Sequence, residues 1–182
     1  PMLRPSEYAS DNSPDIEWVL HSVDNMLITP KSLISCIAIL RPTSPLRSAK
    51  TIVNAFELFQ AEESMDSLRA MEITNSHPGK MWRVKKNGEA TPFLNQAGRE
   101  VPMHSSPTNT LESLWVQNAS LEIARVRCVT DQNSISGSKI IGFKTQFPEG
   151  IDINLPEDVL LMKSVIGKFP HLIPRISVDP IS

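Results

Sequence analysis

A short continuous apolar run, LISCIAIL from Leu33 to Leu40, narrows the choice of folds more than any other feature of the chain. Its length suits a strand, and its lack of polar alternation suits a strand covered on both faces, as in a parallel sheet. RPTSPLR over residues 41–47 follows as a loop. Ser48 then stands as cap to a helix with Ile52, Ala55, Phe56 and Phe59 on one side. Upstream, Ser13-Pro14-Asp15 reads as a helix start, with Ser as N-cap and Pro at the first helical position. Ile16, Val19, Leu20, Val23 and Leu27 recur at helical spacing until Pro30 ends the pattern. Helix, buried strand, loop, helix is the rhythm of an α/β protein.

The remainder fits that class. Asp66 to Ile73 reads as a strand. Met81–Val84 and Ala90–Phe93 flank an Asn87-Gly88 hairpin signal, and 94–114 reads as a polar, proline-punctuated loop or arm. SLEIARVRCV, Ser120 to Val129, alternates as a strand does. Residues 130–138 read as a loop. GIDINLPED over 150–158 leads from a short strand into a last helix, opened by a box-like Asn154 and Glu157. Val159, Leu161, Met162, Val165 and Ile166 form its apolar side, and 168–182 reads as an irregular tail.

Composition excludes several classes. The chain has 182 residues, 18 basic and 20 acidic, with a formal charge of -2, so no overall basic field attracts nucleic acid or anionic lipid. No apolar run approaches the ~20 residues of a membrane span. The length suits one domain. Two cysteines, Cys36 and Cys128, make no disulfide framework and read as buried or semi-buried thiols of a reducing, cytoplasmic compartment. Pro1-Met2-Leu3-Arg4-Pro5 shows no secretory pattern and no initiator Met, which suggests a chain that begins within a longer protein. No G-x-S-x-G, H-E-x-x-H, C-x-x-C or P-loop occurs.

Two segments carry candidate chemistry. Arg41, Thr43, Ser44 and Arg47 offer two hydroxyls and two guanidinium groups beside a helix N-terminus, donors suited to carboxylate or phosphate. The same loop also reads as a rigid solvated turn. Asp152, at an expected strand end, suits a Mg²⁺ ion whose shell is completed by substrate phosphates, or else simple helix-start electrostatics. In His77-Pro-Gly-Lys-Met-Trp82, Lys80 reads as an anion contact or as part of a solvated turn.

Together these segments resemble the acylneuraminate (nonulosonate) cytidylyltransferases, the CMP-sialic acid synthetases. The resemblance lies in Leu3-Arg4-Pro5 with Ala9-Ser10-Asp11 and His21, in PTSPLR, in His77-Pro-Gly-Lys-Met-Trp82, in Gln117-Asn118-Ala119-Ser120-Leu121-Glu122-Ile123 and in Gly150-Ile-Asp-Ile-Asn-Leu-Pro-Glu-Asp158. Order and spacing match over almost the whole chain.

The resemblance implies a Rossmann-like nucleotidyltransferase three-layer sandwich, with a mostly parallel sheet, helices on both faces and a hairpin/arm insertion. It implies transfer of CMP from CTP to the anomeric oxygen of an acidic 2-keto sugar, with release of pyrophosphate. Asp152 would be the catalytic Mg²⁺ ligand, joined by Asn154. Arg41, Thr43, Ser44, Arg47, Gln117 and Asn118 would lie around the sugar, and residues 81–114 would make a homodimer contact. The family's opening A-R-G-G-S-K-x-x-x-x-K-N segment does not occur here, so an N-terminally truncated domain is expected. Thr108-Asn-Thr-Leu-Glu112 replaces the family's R-Q-x-L-P, Asn154 replaces the second acid of D-I-D, and Arg41 replaces a frequent Gln. Two alternatives remain: a non-catalytic binding or dimerisation module, and a related enzyme for another keto-sugar acid.

Overall fold

The computed structural model describes residues 3–25, 34–94 and 98–173. The chain divides into two compact units. One comprises the segments up to Met71 and from Gln117 onward, the other Glu72–Val116. The second begins earlier than the arm expected at 81–114.

A four-stranded mixed sheet, most of whose residues belong to the first unit, runs in the order β1-β5-β2-β6, formed by β1 (Cys36–Ile39), β2 (Ser67–Ile73), β5 (Trp115–Arg125) and β6 (Ile140–Lys144). Strand alternation sorts the side chains onto two faces. Leu121 and Ile123 of β5 and Leu68 and Ala70 of β2 join Ala55 and Phe59 of helix α2 (Ala49–Ala61) in one buried cluster. Ala124 of β5 and Ile39 of β1 join Val19 and Val23 of α1 (Asp15–Asp24) and Val129 of α3 (Val126–Gln132) in another. Helices therefore cover both faces, and the three-layer α/β arrangement follows from the period-two pattern.

Several expectations are corrected. The LISCIAIL strand is not a member of a parallel pair: β1 pairs antiparallel with β5, Cys36 opposite Arg125, while the parallel pairing is between β2 and β6. Ala38 and Leu40 are exposed, because β1 lies at an end of the described sheet. Ser13 does not cap α1. Its hydroxyl accepts from the Ser10 amide at 3.2 Å, and Pro14 takes the cap position. Leu27, Pro30 and Leu33 lie outside the described residues. Phe56 is 45% exposed rather than facing the core with Phe59.

The strand expected over Ser120–Val129 breaks at Arg125, so Val126 and Cys128 are helical. Arg125 explains the break. Its amide donates to Asp66 O at 2.9 Å, and its guanidinium donates to Phe59 O at 2.8 Å while stacking on the Phe59 ring. The short strand expected at 150 is absent, and the element preceding the last helix is β6, ten residues earlier. Helix α4 (Pro156–Lys168) is boxed by Asp158, not Glu157: Asp158 Oδ2 accepts from the Leu155 amide at 2.8 Å. Of its apolar side only Val165 is buried, and Leu161 and Ile166 are exposed. The tail from Pro174 lies outside the described residues.

The expected Ser48 cap is present, its hydroxyl accepting from Thr51 N at 3.1 Å. In the second unit the expected hairpin forms between β3 (Trp82–Val84) and β4 (Ala90–Pro92). Gly88 sits at φ 86°, the left-handed position that closes a three-residue turn, and Lys85 N donates to Glu89 O at 2.9 Å.

Candidate functional site

Two segments far apart in sequence meet beside the start of α2. The loop 41–48 runs from the end of β1 to the Ser48 cap, and residues 149–154 run toward α4. Ile153 N donates to Thr43 O at 2.8 Å, and Ser44 Oγ donates to Asp152 Oδ1 at 3.3 Å. Asn154 Nδ2 donates to the other carboxylate oxygen at 2.7 Å. Burial alone would raise the Asp152 pKa. Hydrogen bonds from Thr43, Asn154 and Ser44, with the charge of Arg41, outweigh it and hold the carboxyl below its usual value. Asp152 is therefore an anion, half-buried and partly open to an incoming cation.

The expected anion receptors have other partners. The Arg41 guanidinium pairs with Asp15 of α1 and with Glu122 of β5, the latter at 3.1 Å. Glu122 in turn pairs with Arg69 of β2, which also donates to Ser136 Oγ at 2.6 Å. These charges form a network on the sheet face covered by α1, so Arg41 is compensated twice before any ligand arrives. Arg47 donates to Ser120 O and ties the loop to β5. Burial pulls its pKa below the ordinary guanidinium value, opposed by the charge of Glu149. Its Nε is buried with no hydrogen-bond partner among the described residues.

Asn118 is buried. It donates to Thr145 Oγ1 at 2.8 Å and accepts from Ser120 Oγ at 2.7 Å. Arg47, Ser120 and Asn118 thus link the loop to the entry of β5. Gln117 is exposed one residue earlier. Arg41, Thr43, Ser44, Arg47, Asp152 and Asn154 are brought together by these contacts. Asn118 joins them through Ser120, and Gln117 makes no such link. A groove of about 400 Å³ lies nearby between α2 and β6, lined by Thr51, Asn54, Phe143 and Phe147. None of the residues 41–47 or 152–154 lines it.

The donor set bears on the expected metal. Among the described residues no group of three or more His, Cys, Asp or Glu side chains could hold an ion. One carboxylate with a neighbouring amide fits Mg²⁺ only in its common substrate-assisted form, where water and phosphates complete the shell. In the second unit, Lys80 is not part of a solvated turn. Its ammonium donates to Ser106 O at 2.6 Å, and His77, buried beside it, accepts from Gly79 N at 2.9 Å.

Sequence reasoning missed Glu149, Asp15 and Glu122. Each acts through a partner on a distant element, so neither the place of Glu122 inside the 117–123 motif, nor that of Asp15 at a helix start, nor that of Glu149 three residues before Asp152 reveals its role.

The architecture is a nucleotidyltransferase-like α/β fold. The chain is similar to the solved structure of a 4-diphosphocytidyl-2C-methyl-D-erythritol synthase from Anaerococcus prevotii, with a TM-score of 0.52 and 7% identity over 85% of this chain and 67% of that one. No protein-family model matches the chain.

Proposed function

We propose that this is an acylneuraminate-type cytidylyltransferase, acting on CTP and an acidic 2-keto sugar. The observation that carries the reading is the meeting of Ser44 and Asp152, which sets a depressed-pKa carboxylate beside the PTSPLR loop. The resemblance of five motifs in register supports the same reading, as does a fold similar to that of a diphosphocytidyl-methylerythritol synthase.

In this proposal the anomeric oxygen of the sugar attacks the α-phosphorus of CTP, the bond to the β-phosphate breaks, and pyrophosphate leaves. Mg²⁺ held at Asp152, with Asn154 as the second contact, would supply charge neutralisation on the phosphates. Thr43 and Ser44 keep Asp152 ionised and aimed. Arg41 and Arg47, with Gln117 and Asn118, form the wall proposed to face the sugar. The hairpin and arm, with Trp82 45% and Val84 68% exposed, are proposed as the homodimer contact.

The test is pyrophosphate release from CTP by the native gene product, across a panel of acidic 2-keto sugars, alongside the 182-residue chain. Asp152→Asn, nearly isosteric, is expected to lower turnover by about 10²–10³-fold with the fold retained, the melting temperature falling only by what a lost depressed carboxylate contributes. Undiminished turnover in that variant removes Asp152 from the reaction. The compensation of Arg41 by Asp15 and Glu122 favours a second reading, a non-catalytic module. Absence of pyrophosphate release with every sugar, from a folded native product, would select it.

A further inference from the structure

We propose that Glu149 is a positioning residue for Asp152, pinning the 149–153 segment to the first turn of α2. The inference rests on the assignment of Asp152 above. Glu149 Oε1 accepts from the Ser48 amide at 3.1 Å and from the Thr51 hydroxyl. Ser48 Oγ is meanwhile engaged with the Thr51 amide at 3.1 Å, so the carboxylate and the serine cap divide the donors of that turn between them. The open N–H groups and positive end of a 13-residue helix favour a carboxylate there. At its other end the segment is fastened by Ile153 N to Thr43 O at 2.8 Å.

Asp152 therefore lies on a short bridge tied at both ends to one loop and helix start. Pro148 and Gly150, which flank Glu149, are buried, and Glu149 with Ser48 and Thr51 forms part of the wall of the groove between α2 and β6. The side chains that hold the carboxylate, Asn154 at 2.7 Å and Ser44 at 3.3 Å, belong to the same segment and loop that the two ties join. Glu149 touches no reacting group in this account. It acts only through where Asp152 stands.

Glu149→Ala and Glu149→Gln separate this role from plain stability. Two quantities are read on the native product: amide hydrogen exchange at Ile153, with Leu121 as core reference, and the dissociation constant for Mn²⁺ in the presence of CTP. The alanine variant is expected to speed Ile153 exchange about tenfold or more, as loss of a charge-assisted hydrogen bond implies, with Leu121 unchanged. It is also expected to weaken Mn²⁺ binding about 10–100-fold, as loss of a residue that orients a ligand does. Glutamine, which keeps an oxygen acceptor, is expected to restore most of both. Unchanged Ile153 exchange in the alanine variant overturns the proposal, as does equal acceleration at Ile153 and Leu121. If the parent protein binds no Mn²⁺ with CTP while Ile153 still responds, the positioning role stands and the cytidylyltransferase reading falls.

Discussion

The two units hold themselves together by different means. The first fully buries Phe59, Leu68, Leu121, Ile123, Val19, Val23 and Val129. It also places a charge network of Asp15, Arg41, Glu122 and Arg69 on one sheet face. The second has a hairpin whose residues are nearly all exposed, with Met81, Trp82 and Val84 open to solvent, and among its described residues Leu111 is the buried large apolar side chain. Its order comes from local backbone bonds and from lysines bonded to nearby acceptors, Lys80 to Ser106 O and Lys85 to Glu89. The difference assigns tasks. Buried packing fixes the loop that carries Ser44 and the segment that carries Asp152, whereas the hairpin keeps its large apolar side chains available.

The largest expected effect lies inside the first unit. Glu122→Ala leaves the Arg69 guanidinium, only 5% exposed, without its carboxylate, and is expected to cost about 3–5 kcal/mol in denaturant unfolding. A cost under about 1 kcal/mol would mean that the network is not part of what holds the sheet.

A pH dependence sharpens the contrast. Asp66 accepts from the Ser138 and Lys139 amides at 2.9 and 3.1 Å. Those backbone bonds outweigh its desolvation and hold its carboxyl below the ordinary value. A depressed carboxylate stabilises the fold above its unfolded pKa, about 3.9, and that contribution is lost as pH falls through the lower folded value. Asp66→Asn is therefore expected to lower the melting temperature near pH 7 and to flatten its fall below about pH 4. Parallel acid curves for parent and variant would count against this role.

The smallest stability effect belongs to the hairpin. Trp82→Ser is expected to change unfolding free energy by about 0.5 kcal/mol or less, as for surface sites, and to weaken the proposed self-association in sedimentation. A large loss of stability with unchanged association would make Trp82 a packing residue instead.

What was legible in the sequence was local. The Ser48 cap, the Asn87-Gly88 hairpin and the α/β order follow from neighbouring residues, and all three are present in the structure. What was not legible depended on partners far along the chain. SLEIARVRCV continues its alternation past Arg125, yet the strand ends there, where Arg125 bonds Asp66, Phe59 and Glu62 far along the chain. Arg41 reads as an open anion receptor until Asp15 and Glu122 are placed beside it. Asp152 was singled out by motif, but its link to Ser44 spans 108 positions and its anchor through Glu149 to Ser48 spans 101.

Asp152, beside Ser44, is the proposed meeting point of this chain with a metal–nucleotide phosphate group. Paramagnetic broadening of backbone amides by Mn²⁺ with CTP tests it directly on the native product. The account predicts broadening centred on the amides of Ser44, Asp152 and Asn154, abolished by Asp152→Asn. Broadening centred elsewhere, or unaltered by that substitution, would contradict it.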